Sequence, residues 1–157
     1  MSSRFVYVTY IRSTPRKVWD ALLKPEFTRR YFFGVSLESD WRVGSPWRMR
    51  QLDGSVTDAG VVLEARPPKR LVLKWRNEFP ERKPEGYTTC TFEITKEKGL
   101  TRLSIVHEGK GANSKTIASV SEGWPRILSN LKTLFETGAL LFPEPKQPRR
   151  PAKARAA

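Results

Sequence analysis

Residues 124–138, WPRILSNLKTLFETG, decide the fold that this sequence predicts. Apolar side chains recur there at the 3.6-residue period of an amphipathic helix. The apolar positions are Trp124, Ile127, Leu128, Leu131, Leu134 and Phe135. Asn113 or Ser114 can cap the start of this helix, and Gly138 suits its end. A helix with such a stripe needs a second apolar surface to cover it.

Pro125 interrupts this helical pattern. Proline has no N–H, and its ring clashes with the carbonyl group four residues earlier, so it does not fit the interior of a straight helix. We therefore expect a kink or a fresh helix start near Gly123.

Strand-like runs earlier in the chain can supply the covering surface. Phe5 to Arg12 is rich in β-branched and aromatic residues and predicts a first strand. Two short helices follow, one starting at Thr14-Pro15 and the other at Pro25. About six further strand-like runs come next with no helix among them, which favours an antiparallel meander. The best-defined runs and turns are Gly60 to Ala65, Arg70 to Arg76, Tyr87 to Thr95, Leu100 to His107, Asp53-Gly54 and Lys98-Gly99.

Together these signals predict an α+β protein. We expect a curved antiparallel sheet of about six to seven strands, wrapped around a long C-terminal helix, with two short helices after the first strand. A single domain is predicted over residues 1–142. Residues 143–157 are rich in Pro, Ala, Lys and Arg and are predicted to form a disordered tail. A sheet that grips one helix leaves an apolar space between the two, which predicts a pocket.

The chain is strongly basic, with a formal net charge of +13 over 157 residues. Five of these charges lie in residues 146–157, so the rest of the chain is basic in its own right. Weak polyanion contact through the tail is therefore one expectation. No run approaches the ~18 apolar residues of a membrane span, and the first residues lack the apolar core of a signal peptide. We expect a cytoplasmic protein without membrane insertion, in which the single Cys90 forms no internal disulfide.

Several short motifs occur in an order typical of one protein superfamily. The motifs are Ser13-Thr14-Pro15, Val18-Trp19-Asp20-Ala21-Leu22, Lys24-Pro25-Glu26, Gly34, Gly44-Ser45-Pro46-Trp47, Asp53-Gly54, Gly60-Val61-Val62, Pro67-Pro68-Lys69-Arg70-Leu71 and Gly123-Trp124 with Leu128 and Leu131. Over residues 5–138 the chain resembles the START-like superfamily, also called SRPBCC or polyketide-cyclase-like. Within it, the chain is most similar to homologues of the activator of heat-shock protein 90 ATPase, the Aha-type family.

The resemblance implies a helix-grip fold, and it implies two functions by analogy. Many members of the wider superfamily bind apolar small molecules in the cavity between sheet and helix. The Aha-type family implies a module that interacts with a chaperone. A third possibility is an enzyme of cyclase or hydrolase type that uses polar residues in the cavity, for example Tyr87, His107 and a glutamate.

The parity of the strands and the start of the long helix predict the walls of the pocket. The predicted ligand-binding residues are Tyr31, Trp47, Met49, Trp75, Tyr87, His107 and Trp124. Pockets of this kind are mostly apolar, with a few polar groups that fix the orientation of a ligand. The alternative for each aromatic residue is that it fills the core. Non-catalytic binding of a small apolar or amphipathic molecule is the main functional prediction.

The sequence offers few other chemical groups. His107 is the only histidine, and its place at a strand end favours a solvated side chain over a hydrogen-bond donor at the pocket mouth. One cysteine and one histidine do not build a zinc site, and no glycine-rich phosphate loop is present. We therefore predict no catalytic residue, no metal and no cofactor. Strand alternation also places the Trp47 and Trp75 rings on the face opposite to their neighbouring cations, which disfavours a nucleic-acid stacking surface.

Overall fold

The computed structural model describes residues 2–146. The elements are β1 (Ser2–Ile11), α1 (Pro15–Leu23), α2 (Pro25–Tyr31), β2 (Ser36–Ser39), β3 (Pro46–Arg50), β4 (Val56–Arg66), β5 (Arg70–Asn77), a single 3-10 turn (Lys83–Glu85), β6 (Thr88–Glu97), β7 (Leu100–Lys110) and α3 (Lys115–Thr137). The strands form one sheet in the order β1-β7-β6-β5-β4-β3-β2, in which all neighbours are antiparallel. This architecture confirms the predicted α+β helix-grip fold.

Helix α3 buries the stripe that the sequence predicts. Trp124, Ile127, Leu128 and Leu131 are buried against the inner face of the sheet. The sheet contributes alternate residues to the same core, including Trp47 and Met49 from β3 and Leu73 and Trp75 from β5. Each fully buried side chain of this size stabilises the fold by about 1.5–3 kcal/mol.

The ends of α3 follow the predicted chemistry. The Ser114 hydroxyl accepts a hydrogen bond from the Ile117 amide at 3.1 Å, and Gly138 closes the helix in the left-handed conformation with a φ of 77°. The fresh helix start predicted near Gly123 is wrong, because α3 is one helix of 23 residues with Pro125 inside it. The alternative, a kink at this point, stays a prediction. Burial of the stripe on both sides of Pro125 offsets the missing N–H bond.

The segment after α3 turns back along α2. The Asn130 side-chain oxygen accepts hydrogen bonds from the amides of Leu141 and Phe142 at 2.9 and 3.0 Å. Glu144 pairs with Arg30 at 3.1 Å. The first residues of the predicted tail, 143–146, therefore lie beside the domain, and residues 147–157 fall outside the described part of the chain.

Within residues 2–146, no helix is both long enough and apolar enough to cross a bilayer.

Candidate functional site

A cleft of about 660 Å3 opens between the sheet and the first half of α3. This volume lies within the usual range of small-molecule sites, about 300–1,000 Å3. The β3–β4 hairpin and the end of β5 form one wall, and α3 with the loop after β5 forms the other. The lining residues are Phe32, Met49, Gln51, Leu52, Asp53, Ser55, Thr57, Asp58, Trp75, Asn77, Phe79, Arg82, Thr116, Ser119, Val120, Gly123, Trp124 and Ile127.

The deeper space between sheet and helix is almost filled by aromatic rings. Trp75 lies 4.6 Å from Trp47 and 5.9 Å from Trp124, measured between ring centroids. Phe32 and Phe92 meet Trp124 edge-on at 5.8 and 5.7 Å. The residual cavity behind these rings has a volume of about 10 Å3, which holds at most one water molecule. A ligand therefore has room in the open cleft, but not in the deeper space between the sheet and α3.

Asp58 places a carboxylate in the wall of the cleft. It lies on β4 opposite Met49 of β3 and Asn77 of β5, and only 8% of it is exposed. Its Oδ2 accepts hydrogen bonds from the Trp75 indole N–H at 2.7 Å and from the Asn77 amide group at 3.2 Å. Burial raises the pKa of the Asp58 carboxyl, while those hydrogen bonds and the nearby Arg82 charge oppose the rise.

Arg82 approaches the cleft from the loop that follows β5. Its guanidinium group donates a hydrogen bond to the Ser119 hydroxyl on α3 at 3.1 Å and lies 5.9 Å from the centre of the Phe79 ring. The same loop is fastened to the start of α3 by Glu85, which accepts hydrogen bonds from the Ser114 hydroxyl and the Lys115 amide. These bonds hold Arg82 and Phe79 against the cleft.

His107 lies behind the cleft and orients one of its rings. Its Nδ1 accepts a hydrogen bond from the Trp124 indole N–H at 3.4 Å, so the ring proton is assigned to Nε2, which donates to the Thr88 hydroxyl at 2.8 Å. Thr88 in turn donates to the Trp75 carbonyl group. Burial lowers the pKa of His107 to about 4, so this histidine is neutral at neutral pH. The preferred expectation of a solvated strand end is wrong, because β7 continues to Lys110 and His107 is fully buried.

Three of the seven predicted site residues, Met49, Trp75 and Trp124, come together in the wall of the cleft. Trp47 is buried but does not line the cleft, and its indole N–H donates to the Lys74 carbonyl group at 2.9 Å. Tyr31 is fully buried in the core, and its hydroxyl donates to the Ala21 carbonyl group at 2.8 Å.

Tyr87 lies on the opposite, outer face of the sheet. It precedes β6 and is 40% exposed, and its ring is flanked by Lys74 at 4.6 Å and Arg76 at 4.9 Å. An aromatic ring and two cations therefore do share a surface here, although Trp47 and Trp75 are buried away from their neighbouring cations as alternation predicts. Tyr87 shares the parity of Thr89 and Thr91, opposite to that of the buried Thr88 and Cys90, so the alternation of β6 itself points to the outer face.

Comparison with known proteins places the chain in a family. The family described as "Activator of Hsp90 ATPase homolog 1-like protein" matches residues 12–136. The chain belongs to this family. No curated protein matches the chain significantly.

Solved structures share the fold of this family member at low sequence identity. A Mesorhizobium loti protein is 22% identical, with a TM-score of 0.73 over 88% of this chain and 100% of the other. An HSP90 activator from Plasmodium falciparum is 22% identical, with a TM-score of 0.68 over 83% of this chain and 94% of the other. The Aha1 dimer from Colwellia psychrerythraea is 18% identical, with a TM-score of 0.70 over 87% and 98%.

Sequence reasoning missed the polar residues of the cleft, above all Asp58, Asn77 and Arg82. A signal for Asn77 was present, since it continues the inward parity of Leu71, Leu73 and Trp75. Asp58 shares the inward parity of the buried Val62, with which its register is unbroken, but the predicted strand begins only at Gly60, two residues after it.

The cleft can bind and orient a molecule with both polar and apolar parts. Polar side chains also meet in the cleft, which the enzyme hypothesis requires, and burial raises the pKa of the Asp58 carboxyl among them. The residues named for that role do not meet there, since Tyr87 is on the outer face and His107 lies behind Trp75 and Trp124.

Proposed function

We propose that this family member binds a small amphipathic molecule in the cleft without chemical conversion. The observation that carries the proposal is the pairing of an aromatic wall, Trp75 and Trp124, with a polar end formed by Asp58, Asn77 and Arg82. Ligand sites combine mainly apolar surface with a few converging polar groups in this way.

The aromatic wall is held in place before any ligand arrives. Asp58 and His107 accept hydrogen bonds from the indole N–H groups of Trp75 and Trp124, and Phe32 packs edge-on against Trp124. Rings fixed by both packing and hydrogen bonds lose little conformational entropy on binding, which favours affinity.

A thermal-shift screen of amphipathic metabolites and lipids tests this proposal, and a blocking variant locates the site. Val120→Trp places a large ring into the cleft from α3, whereas Arg126→Trp places the same ring on an exposed part of α3 outside the cleft. Ligands that stabilise the wild type should still stabilise Arg126→Trp and should not stabilise Val120→Trp. Equal stabilisation of both variants would place binding elsewhere and contradict the proposal.

Interaction with a chaperone is a second candidate, supported by membership of the Hsp90-activator-like family. The chain should then co-purify with the heat-shock protein 90 homologue of its own cell and stimulate its ATPase activity. Absence of both effects at micromolar concentrations of purified proteins would end this hypothesis.

The basic segment beyond residue 146 remains a candidate for weak polyanion contact. Arg149, Arg150, Lys153 and Arg155 carry its charge. A chain ending at residue 146 keeps the Arg30–Glu144 contact and removes these four cations. Loss of DNA retention at low salt in that variant is the expected result, and unchanged retention would exclude a role for the segment.

A further inference from the structure

We propose that the cleft selects a zwitterionic ligand with an aromatic or bulky apolar body, whose cationic group meets Asp58 and whose anionic group meets Arg82. The inference rests on the proposed binding function and names the chemical class of its ligand. It follows from two opposite charges that line one cleft and have no charged partner within hydrogen-bonding reach among the described residues.

Among residues 2–146, only neutral groups hold these two charges. Asp58 accepts from the indole of Trp75 and the amide of Asn77, and Arg82 donates to the hydroxyl of Ser119. The charge of Arg82 acts to lower the pKa of Asp58, so the two groups interact electrostatically, but they form no direct ion pair.

Other charged residues near the cleft do form ion pairs. Glu78 pairs with Arg76 at 3.0 Å and with Lys83 at 3.0 Å, on the same loop and strand end that carry Arg82. Asp53 is a further charge at the rim of the cleft, and its Oδ1 accepts from the neutral amide and hydroxyl of Ser55 at 2.9 and 2.6 Å.

A ligand with one charge would leave the other cleft charge covered and unpaired. Covering an ionic group without a partner is costly, whereas charge-assisted hydrogen bonds are about twice as strong as neutral ones. A ligand with both charges pairs Asp58 and Arg82 at once and gains both sets of bonds. Its apolar body then lies along Trp75, Trp124 and Ile127, which continue the cleft beyond the charged end.

A matched series of indole compounds tests the charge requirement by titration calorimetry with the full chain. Tryptophan is the zwitterion, tryptamine the cation, indole-3-propionate the anion and 3-methylindole the neutral member. We expect tryptophan to bind about tenfold more tightly than each of the other three.

Two variants assign the two ends. Arg82→Gln should abolish the advantage of tryptophan over tryptamine, and Asp58→Asn should abolish its advantage over indole-3-propionate. Arg76→Gln removes a cation that contacts the outer-face residue Tyr87, so it serves as a control that should leave all affinities unchanged. Since Asp58 also orients Trp75, the loop variant Arg82→Gln decides the question if Asp58→Asn does not fold.

The outcomes separate this inference from the proposed function. Equal affinity of 3-methylindole and tryptophan would contradict the requirement for a zwitterionic ligand, but it would still be consistent with a binding cleft. Failure of all four compounds to bind would also overturn it, while the screen with Val120→Trp and Arg126→Trp decides the binding function independently.

Discussion

The indole N–H of Trp75 lies 2.7 Å from Oδ2 of Asp58, which joins the aromatic wall of the cleft to a buried carboxylate. Trp75 is on β5 and Asp58 on β4, so the bond spans two neighbouring strands at the point where the cleft opens. The polar and apolar parts of the site are therefore coupled through this hydrogen bond. A substitution of Asp58 should alter the position of the Trp75 ring, and a substitution of Trp75 should alter the Asp58 carboxylate.

Removal of the carboxylate should loosen this wall. In Asp58→Ala the Trp75 indole and the Asn77 amide lose their acceptor, and we expect the free energy of unfolding to fall by about 1–3 kcal/mol in urea titrations. Asp40→Ala, at an exposed position, is the control and should stay within about 0.5 kcal/mol of the wild type. Equal effects of the two substitutions would show that the hydrogen bonds from Trp75 and Asn77 to Asp58 do not stabilise the fold.

His107 should make stability depend on pH. Its pKa falls from 6.5 to about 4 on folding, so between these values the unfolded chain binds a proton that the folded chain does not. The stabilisation is complete above pH 6.5 and is lost as the pH falls through this window, by up to about 3 kcal/mol. Denaturant titrations at pH 7 and pH 5 measure the slope.

The matched variant for this slope is His107→Gln, which has no titrating ring at this position. Its loss of stability between pH 7 and pH 5 should be smaller than that of the wild type. Parallel losses in the two proteins would show that His107 protonates as easily in the folded chain as in the unfolded one.

Gly60 should not tolerate a side chain. A Cβ at this position would overlap the Lys74 carbonyl oxygen and crowd the Trp47 indole nitrogen that bonds to it. Gly60→Ala is expected to lose about 3 kcal/mol in the free energy of unfolding. A Cβ at the helical Gly123 would meet the Ile127 side chain at an ordinary contact distance of 3.9 Å, so Gly123→Ala should gain about 0.5–1 kcal/mol. The same sign for both substitutions would contradict this packing.

Glu85 should stabilise the start of α3. Its carboxylate accepts from the Ser114 hydroxyl and from the Lys115 and Thr116 amides at 2.8, 2.9 and 3.2 Å. Burial raises the pKa of Glu85, but these hydrogen bonds outweigh burial and lower it overall, so the stabilisation is present near neutral pH and lost on acidification. Glu85→Ala should cost about 0.5–2 kcal/mol at pH 7, measured by urea unfolding.

The control for this cap is Glu81→Ala in the same loop, at an exposed position. It should change stability by less than about 0.5 kcal/mol. If Glu81→Ala and Glu85→Ala prove equally costly, general charge in the loop and not the cap would be responsible.

The sequence predicts the scaffold well because periodicity and turn chemistry act locally. The stripe from Trp124 to Phe135 predicts α3, and Asp53-Gly54 predicts the β3–β4 turn, where Gly54 has a φ of 89°. Pro125 predicts a fresh helix start that does not occur. The free energy gained by burying a long apolar stripe exceeds the cost of one missing helical hydrogen bond, and local sequence rules do not measure that burial.

The candidate site is harder to predict because it depends on register across strands. Trp75 is identified by strand parity and Trp124 by helical periodicity, whereas Asp58 lies just before the predicted strand, and its pairing with Met49 and Asn77 places it in the cleft. His107 shows the same difficulty, since its burial follows from three residues of β7 that extend the strand beyond it.

The central claim is that a ligand binds against Trp75 and Trp124 in the open cleft. The most direct measurement is a titration of 15N-labelled protein with the stabilising ligands, observing the indole N–H signals of the five tryptophans. The account predicts that the signals of Trp75 and Trp124 shift and saturate, because their N–H groups bond to Asp58 and His107 beside the cleft, while Trp19 and Trp41 stay still. Movement of Trp19 or Trp41 alone, or no movement at saturating ligand, would contradict it.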